Sequence, residues 1–205
     1  AEMYPVPPSA DKFGVTEQVV GRWLKGRKRG ELIIATKVTG PGHGWFRPPI
    51  RGGFTMLDRH QIHRACEDSL KRLRTDYIDL YQTHWPDENV PIEETLTVFG
   101  ELIASGKVRH IGISDTPAWK VAQAQTQAHF RGWAPIIALQ IEYSLIERTV
   151  EGELTPMAQE LGLGVTPWSP LRGGVLSGKY TRQNQGQLKA DRGERVTNFL
   201  TERTY

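Results

Sequence analysis

Apolar residues along this chain switch repeatedly between two spacings. Val19, Val20, Trp23 and Leu24 recur at helical spacing within 16–24, and Gly26 and Gly30 close that segment. Leu32 to Ala35 form a short unbroken apolar run ending at Thr36-Lys37-Val38, which predicts a buried strand. A Gly/Pro-rich loop fills 40–53, and loops of that length are often functional. Asp58 predicts an N-cap with Gln61 in the capping-box position. Ile62, Ala65, Cys66, Ser69, Leu70 and Leu73 then fall on one helical face. Tyr77 to Tyr81 predict a second buried strand that stops at His84-Trp85-Pro86. Ile92, Leu96, Phe99, Leu102 and Ile103 mark a further helix, with Gly106 as its C′ residue. Val108 to Ile113 read as a strand ending in Ser114-Asp115, and Pro117 suits the first turn of a helix toward His129. Ile136 to Leu139 form a strand ending at Gln140, and a helix near 154–161 precedes a strand over 163–168.

Every successive pair of strands is separated by a helix-sized crossover, which predicts a parallel sheet covered by helices. The strands are apolar runs rather than alternations, as expected when both faces are buried. Five are expected, around Ile33, Ile78, Ile111, Ile137 and Val165. A Pro-rich loop over 1–10 carries Tyr4, and beyond Tyr180 the chain turns polar. The 205 residues are expected to form a single domain, with 181–205 a polar loop and tail.

Charge narrows the function classes. Lys and Arg number 26 against 23 Asp and Glu, and that excess of three is too small for a nucleic-acid footprint. The basic cluster Arg22, Lys25, Arg27, Lys28 and Arg29 lacks aromatic interleaving and reads as a solvated helix end. A single cysteine, Cys66, excludes an internal disulfide and a Cys-rich zinc site, and its apolar face predicts a buried, inert thiol. No apolar run reaches the roughly 18 residues of a membrane span, and no signal-peptide pattern opens the chain, so a cytoplasmic location is expected. No histidine pair has metal-ligand spacing with a supporting carboxylate, so no metal site is expected. Neither a G-x-S-x-G elbow nor a P-loop is present.

Lys37, His84, Ser114, Gln140 and Trp168 each sit at or just after a strand C-terminus. In a barrel of parallel strands that face hosts the active site. A tyrosine hydroxyl has a pKa near 10, and a nearby ammonium lowers it. The phenol then serves as a general acid at a carbonyl oxygen, with a histidine orienting that oxygen. This is the equipment for carbonyl reduction when a nicotinamide supplies the hydride. Trp168 would wall the nicotinamide ring, and Ser114, Asp115 and Gln140 would bond its carboxamide.

Several blocks in order resemble the NADP(H)-dependent aldo-keto reductases, which are (β/α)8 barrels. They include Ala1-Glu2-Met3-Tyr4, Ile34-Ala35-Thr36-Lys37, Asp68 to Leu73, Asp76 to Tyr81 and His84-Trp85-Pro86. They continue through Gly106 to Arg109, Ile111 to Ser114, Gln140, Tyr143-Ser144, Trp168 to Leu171 and Gly173 to Lys179. The resemblance implies an Asp-Tyr-Lys-His tetrad with Tyr4 as general acid, Lys37 as its pKa-lowering partner and His84 orienting substrate. It gives Ser114, Asp115 and Gln140 the carboxamide and Trp168 the ring-stacking role. Ser169, Leu171, Gly173, Leu176 and Lys179 would lie along the cofactor pyrophosphate, their loop glycines allowing close approach. The tetrad Asp falls two residues before Ala1. Asp115 replaces the usual Asn, and an anion there cannot donate to the carboxamide oxygen. Trp168 stands where Tyr or Phe is commoner.

Such barrels need about 250 residues. This chain covers strands three to seven of the pattern, which implies an interior fragment without the N-terminal strands and the last strand. Its open edges predict self-association. Trp85, Trp45 and Phe46 are candidate substrate-pocket residues, and His43 shares their loop. Asp79 is expected to be a paired structural carboxylate, and the tail with Lys189, Arg192, Arg195 and Arg203 a solvated loop. Two further functions remain open on this scaffold: a non-catalytic cofactor-binding or regulatory subunit, and an inactive truncated fragment.

Overall fold

The computed structural model describes residues 1–42, 47–184, 196 and 199–200. Five strands form one parallel sheet in chain order. They are β1 (Ala35–Val38), β2 (Ile78–Thr83), β3 (Val108–Ser114), β4 (Ile136–Glu142) and β5 (Gly164–Trp168). The principal helices are α1 (Val15–Leu24), α2 (Arg59–Leu73), α3 (Ile92–Ala104), α4 (Ala118–Arg131) and α5 (Leu154–Glu160). Each crossover carries one of the helices α2 to α5, so the architecture is an incomplete (β/α)8 barrel.

The helix signals act as their chemistry requires. Asp58 Oδ1 accepts the Gln61 N–H at 2.8 Å and caps α2. The Gln61 side chain does not return the bond; it accepts from Arg51 Nε at 3.1 Å, so the capping box is one-sided. All six residues expected on the apolar face of α2 are buried. Gly106, at φ 75°, ends α3, while Lys107 N–H returns to the Leu102 carbonyl at 3.0 Å. Pro117 lies one position earlier than expected, capping α4 rather than opening its first turn.

The core lies between the outer face of the sheet and the helices, with Tyr81, Phe99, Ile111 and Leu139 fully enclosed. The β2 strand is buried or half-buried throughout, and β3 and β4 are mostly so, as the continuous apolar runs predicted. The outer two strands differ. Leu32 to Ile34 precede β1 rather than joining it, and Ile33 is 85% exposed. In β5 only Val165 is even half-buried. Among the described residues neither β1 nor β5 has a strand on its outer side. Pro167 lies in β5, which pairs on one side only among the described residues, so the missing donor can fall on the other side.

Buried charge ties the layers together. Glu17 of α1 accepts from Thr36 Oγ1 of β1 at 2.5 Å and from Arg72 Nε of α2 at 2.7 Å. Asp79 is a paired structural carboxylate: it accepts from Arg29 at 2.6 Å, Arg109 at 3.0 Å and the Ile34 N–H at 2.9 Å. Cys66 is buried, and burial pushes its thiol up to about 12, so it stays protonated and inert.

Candidate active site

The parallel register aligns the C-terminal strand ends. Lys37 pairs with Gln82, Thr83 with Ile113, Ser114 with Gln140 and Glu142 with Trp168. His84 follows β2 directly, and its N–H is bonded to the Val38 carbonyl at 2.9 Å. Lys37, His84, Ser114, Asp115, Gln140 and Trp168 therefore collect at one end of the sheet. The loop before α1 adds Tyr4, whose Oη lies 3.3 Å from His84 Nε2 with the rings edge to face.

That loop is held by a buried ion pair absent from the sequence-based reading. Arg51 reaches both carboxylate oxygens of Glu2, two residues before Tyr4. Glu2 Oε1 also accepts the Thr39 N–H at 2.7 Å, and Arg51 donates to the Thr39 carbonyl at 3.0 Å. Thr39 is two residues beyond Lys37, so one knot ties the Tyr4 loop to the strand that carries Lys37. An Arg in a Gly/Pro-rich loop and a Glu in an opening loop give no sequence signal that they meet.

Electrostatics at the site are set mainly by burial. Burial, then the positive charge of Lys37, holds His84 down at about 2, so the imidazole is neutral. The Tyr4–His84 bond thus has a donor fixed by the tautomer of a neutral ring. Burial lowers Lys37 below the usual lysine range, with the Asp115 carboxylate opposing. The Tyr4 phenol is governed by other groups than Lys37 in this structure. Burial raises its pKa, and the charge that contributes is Asp115, which raises it further.

Asp115 has φ 47°, and its Oδ1 accepts the Trp168 Nε1–H at 2.8 Å. The residue is exposed as a whole, but protein crowds its carboxylate on most sides. Desolvation therefore raises its pKa, against the lowering effects of the Trp168 N–H and Lys37. Ser114 Oγ is buried against this carboxylate without completing a hydrogen bond, and His84 Nδ1 and Gln82 Oε1 are also buried without partners. These unsatisfied groups and the exposed Trp168 indole suit a flat ligand bearing an amide.

The loop after β5 has Ser169, Arg172, Gly173 and Gly174 all at positive φ, a conformation that turns backbone groups outward in a tight curve. Arg172 anchors it by pairing with Glu142 of β4 and with Glu147 at 3.4 Å. A Cβ on Gly174 would lie 3.2 Å from Lys179 Cε, so the lysine stem packs directly on that glycine. Leu171 is exposed and Leu176 half-buried on the same loop. Trp85 is buried with Met3 and Ile50, its Nε1 donating to the Pro41 carbonyl at 2.6 Å. It packs under Gly40, Pro41 and Ile50 rather than standing open. Trp45, Phe46 and His43 lie outside the described residues, as do Lys189, Arg192, Arg195 and Arg203. A cavity of about 280 Å³ opens beside the site, between the loops after β2 and β3, lined by Leu57, Asp87, Val90, Ile113 and Lys120. Among the described residues no His, Cys, Asp and Glu cluster could hold a metal ion, and no helix is long and apolar enough to cross a membrane.

The chain matches the Aldo/keto reductase family over residues 1–204. It is 41% identical over 187 residues to the uncharacterized oxidoreductase YrpG of Bacillus subtilis, covering 89% of this chain and 56% of that protein. It is 39% identical over 201 residues to protein tas of Escherichia coli, covering 88% of this chain and 57% of the relative. It is 31% identical over 185 residues to an aryl-alcohol dehydrogenase (NADP(+)) of Phanerodontia chrysosporium, covering 88% and 48%. The chain spans about half the length of the curated relatives it matches. With its parallel strands in barrel order and its family match over 1–204, this chain belongs to the aldo/keto reductase family.

Proposed function

We propose that the site reduces aldehyde or ketone carbonyls with NADPH. The observation that carries this reading is the Tyr4 Oη–His84 Nε2 contact of 3.3 Å at the C-terminal strand ends, where the Lys37 charge acts on His84. When bound, the nicotinamide supplies a hydride to the carbonyl carbon. Tyr4 would hold the proton that the developing alkoxide takes, the phenol being protonated at neutral pH. Neutral His84 orients the substrate oxygen without competing as a cation. Lys37 would supply positive charge at these strand ends, where its ammonium acts on His84.

Ser114, Asp115 and Gln140 are assigned to the carboxamide, Trp168 to the ring face, and Ser169, Leu171, Gly173, Leu176 and Lys179 to the pyrophosphate. Trp85 would floor the substrate side, with Trp45 and Phe46 as further candidates. The named activity of the fungal relative makes aromatic aldehydes the first substrates to assay. The 1–205 chain is read as one partial barrel domain, cytoplasmic, with no nucleic-acid partner, and self-associating through the edges of β1 and β5. Sedimentation as a clean monomer would overturn the last point. Tyr4→Phe tests the chemistry: general acid catalysis contributes about 10²–10⁴-fold, so turnover should fall by at least about 10² with cofactor affinity kept. Unchanged turnover would refute the role of Tyr4.

A further inference from the structure

Asp115 stands at the end of β3 with a backbone conformation rarely adopted by residues other than glycine. Its Oδ1 holds the indole N–H of Trp168 at 2.8 Å, a bond that reaches from β3 past β4 to β5. Its backbone N–H is fixed to the Gln140 carbonyl at 3.0 Å. Asp115 as a residue and Trp168, at 36%, are both exposed. The indole edge is thus consumed by the carboxylate, which leaves the electron-rich ring face to an incoming ligand. A carboxylate beside an aromatic face is the combination that recognises a flat organic cation.

We infer that Asp115 and Trp168 form a cation-recognising wall that binds the positively charged, oxidised nicotinamide ring in preference to the neutral, reduced one. This rests on the reading that places the nicotinamide against Trp168. An asparagine at 115 could both give and accept bonds at a carboxamide but would not read ring charge. Asp115 gives up the donation and gains the discrimination. The same wall favours positive charge growing on the ring during carbonyl reduction, which makes Asp115 a specificity residue with a part in the transition state.

The charges facing Asp115 set the size of the effect. Lys37 of β1 opposes it, and burial desolvates both groups. Glu142 of β4 adds negative charge and is paired with Arg172. His84 and Tyr4 are neutral at pH 7. Opposite unit charges close together near a protein surface, reduced by solvent and by Lys37, would support roughly a tenfold preference, about 1.4 kcal/mol.

The test is calorimetric titration of the full chain with NADP⁺ and with NADPH at one pH and ionic strength. Both probes carry the same adenosine and phosphate groups, so the ratio of their affinities isolates the ring. Asp115→Asn keeps an acceptor for the Trp168 N–H and removes the charge. It should weaken NADP⁺ about tenfold and change NADPH less than about threefold. Asp115→Ser, which removes the charge without adding an amide donor, should shift the ratio in the same direction. A ratio unchanged in both variants overturns the inference while leaving the cofactor reading intact. Binding of neither form by the wild-type chain overturns both.

Discussion

Replacing Arg51 by Met strands the Glu2 carboxylate in the interior. The side chains are 4% and 3% exposed, so water cannot replace the lost partner. The substitution removes both contacts to Glu2, the bond to the Thr39 carbonyl and the bond to Gln61. Breaking a buried ion pair from one side costs about 3–5 kcal/mol. That is a large share of the roughly 5–15 kcal/mol by which a domain is stable. Glu2→Gln strands the guanidinium instead and should cost a similar amount, although the amide oxygen still accepts the Thr39 N–H. The double variant leaves neither charge stranded, so its loss should be clearly smaller than the sum of the two. Urea unfolding at neutral pH, with the m-value checked for each variant, measures all three. A loss below about 1 kcal/mol for Arg51→Met, the range of exposed pairs, would refute the idea that this knot holds the Tyr4 loop. So would strict additivity of the two single variants.

Two further outcomes follow from the packing and the titration. At Gly21 an added Cβ would lie 2.3 Å from the Arg72 carbonyl oxygen and 2.8 Å from the Leu73 carbonyl carbon, both backbone atoms of α2. Gly21→Ala should therefore lower the Tm by forcing α1 off α2, at about 1–3 kcal/mol, despite alanine's better helix propensity; a raised Tm in thermal unfolding would contradict this close approach. His84 is held at about 2 when folded and reverts to about 6.5 when unfolded. Its contribution is fully present above about pH 6.5 and is lost as pH falls toward 2, with a slope of at most about 1.4 kcal/mol per pH unit. His84→Asn should flatten the dependence of stability on pH between 6 and 4, and identical slopes in the two proteins would show that His84 is not held neutral.

The crossover pattern made the sheet order legible, because helix-sized spacing between apolar runs leaves few alternatives to a parallel sheet. The face of α2 and the Asp58 cap were legible because they depend on residues within one or two turns. The exposure of Ile33 and of β5 was not, since burial depends on what lies beyond an edge strand rather than on the strand's own residues. The strand-end residues could be named because register fixes which positions share one end of a sheet. Their electrostatics could not. The phenol of Tyr4 is raised rather than lowered because desolvation and Asp115 govern it, and both are properties of three-dimensional surroundings. The Glu2–Arg51 knot joins residues 49 positions apart with no periodicity linking them.

The most direct measurement of the central claim, that these strand ends form a nicotinamide site, is a fluorescence titration of the purified chain with NADPH and with NADH. Saturable quenching of tryptophan emission by NADPH, weakened in Trp168→Ala, is the predicted result. No saturable response to either dinucleotide would contradict the claim.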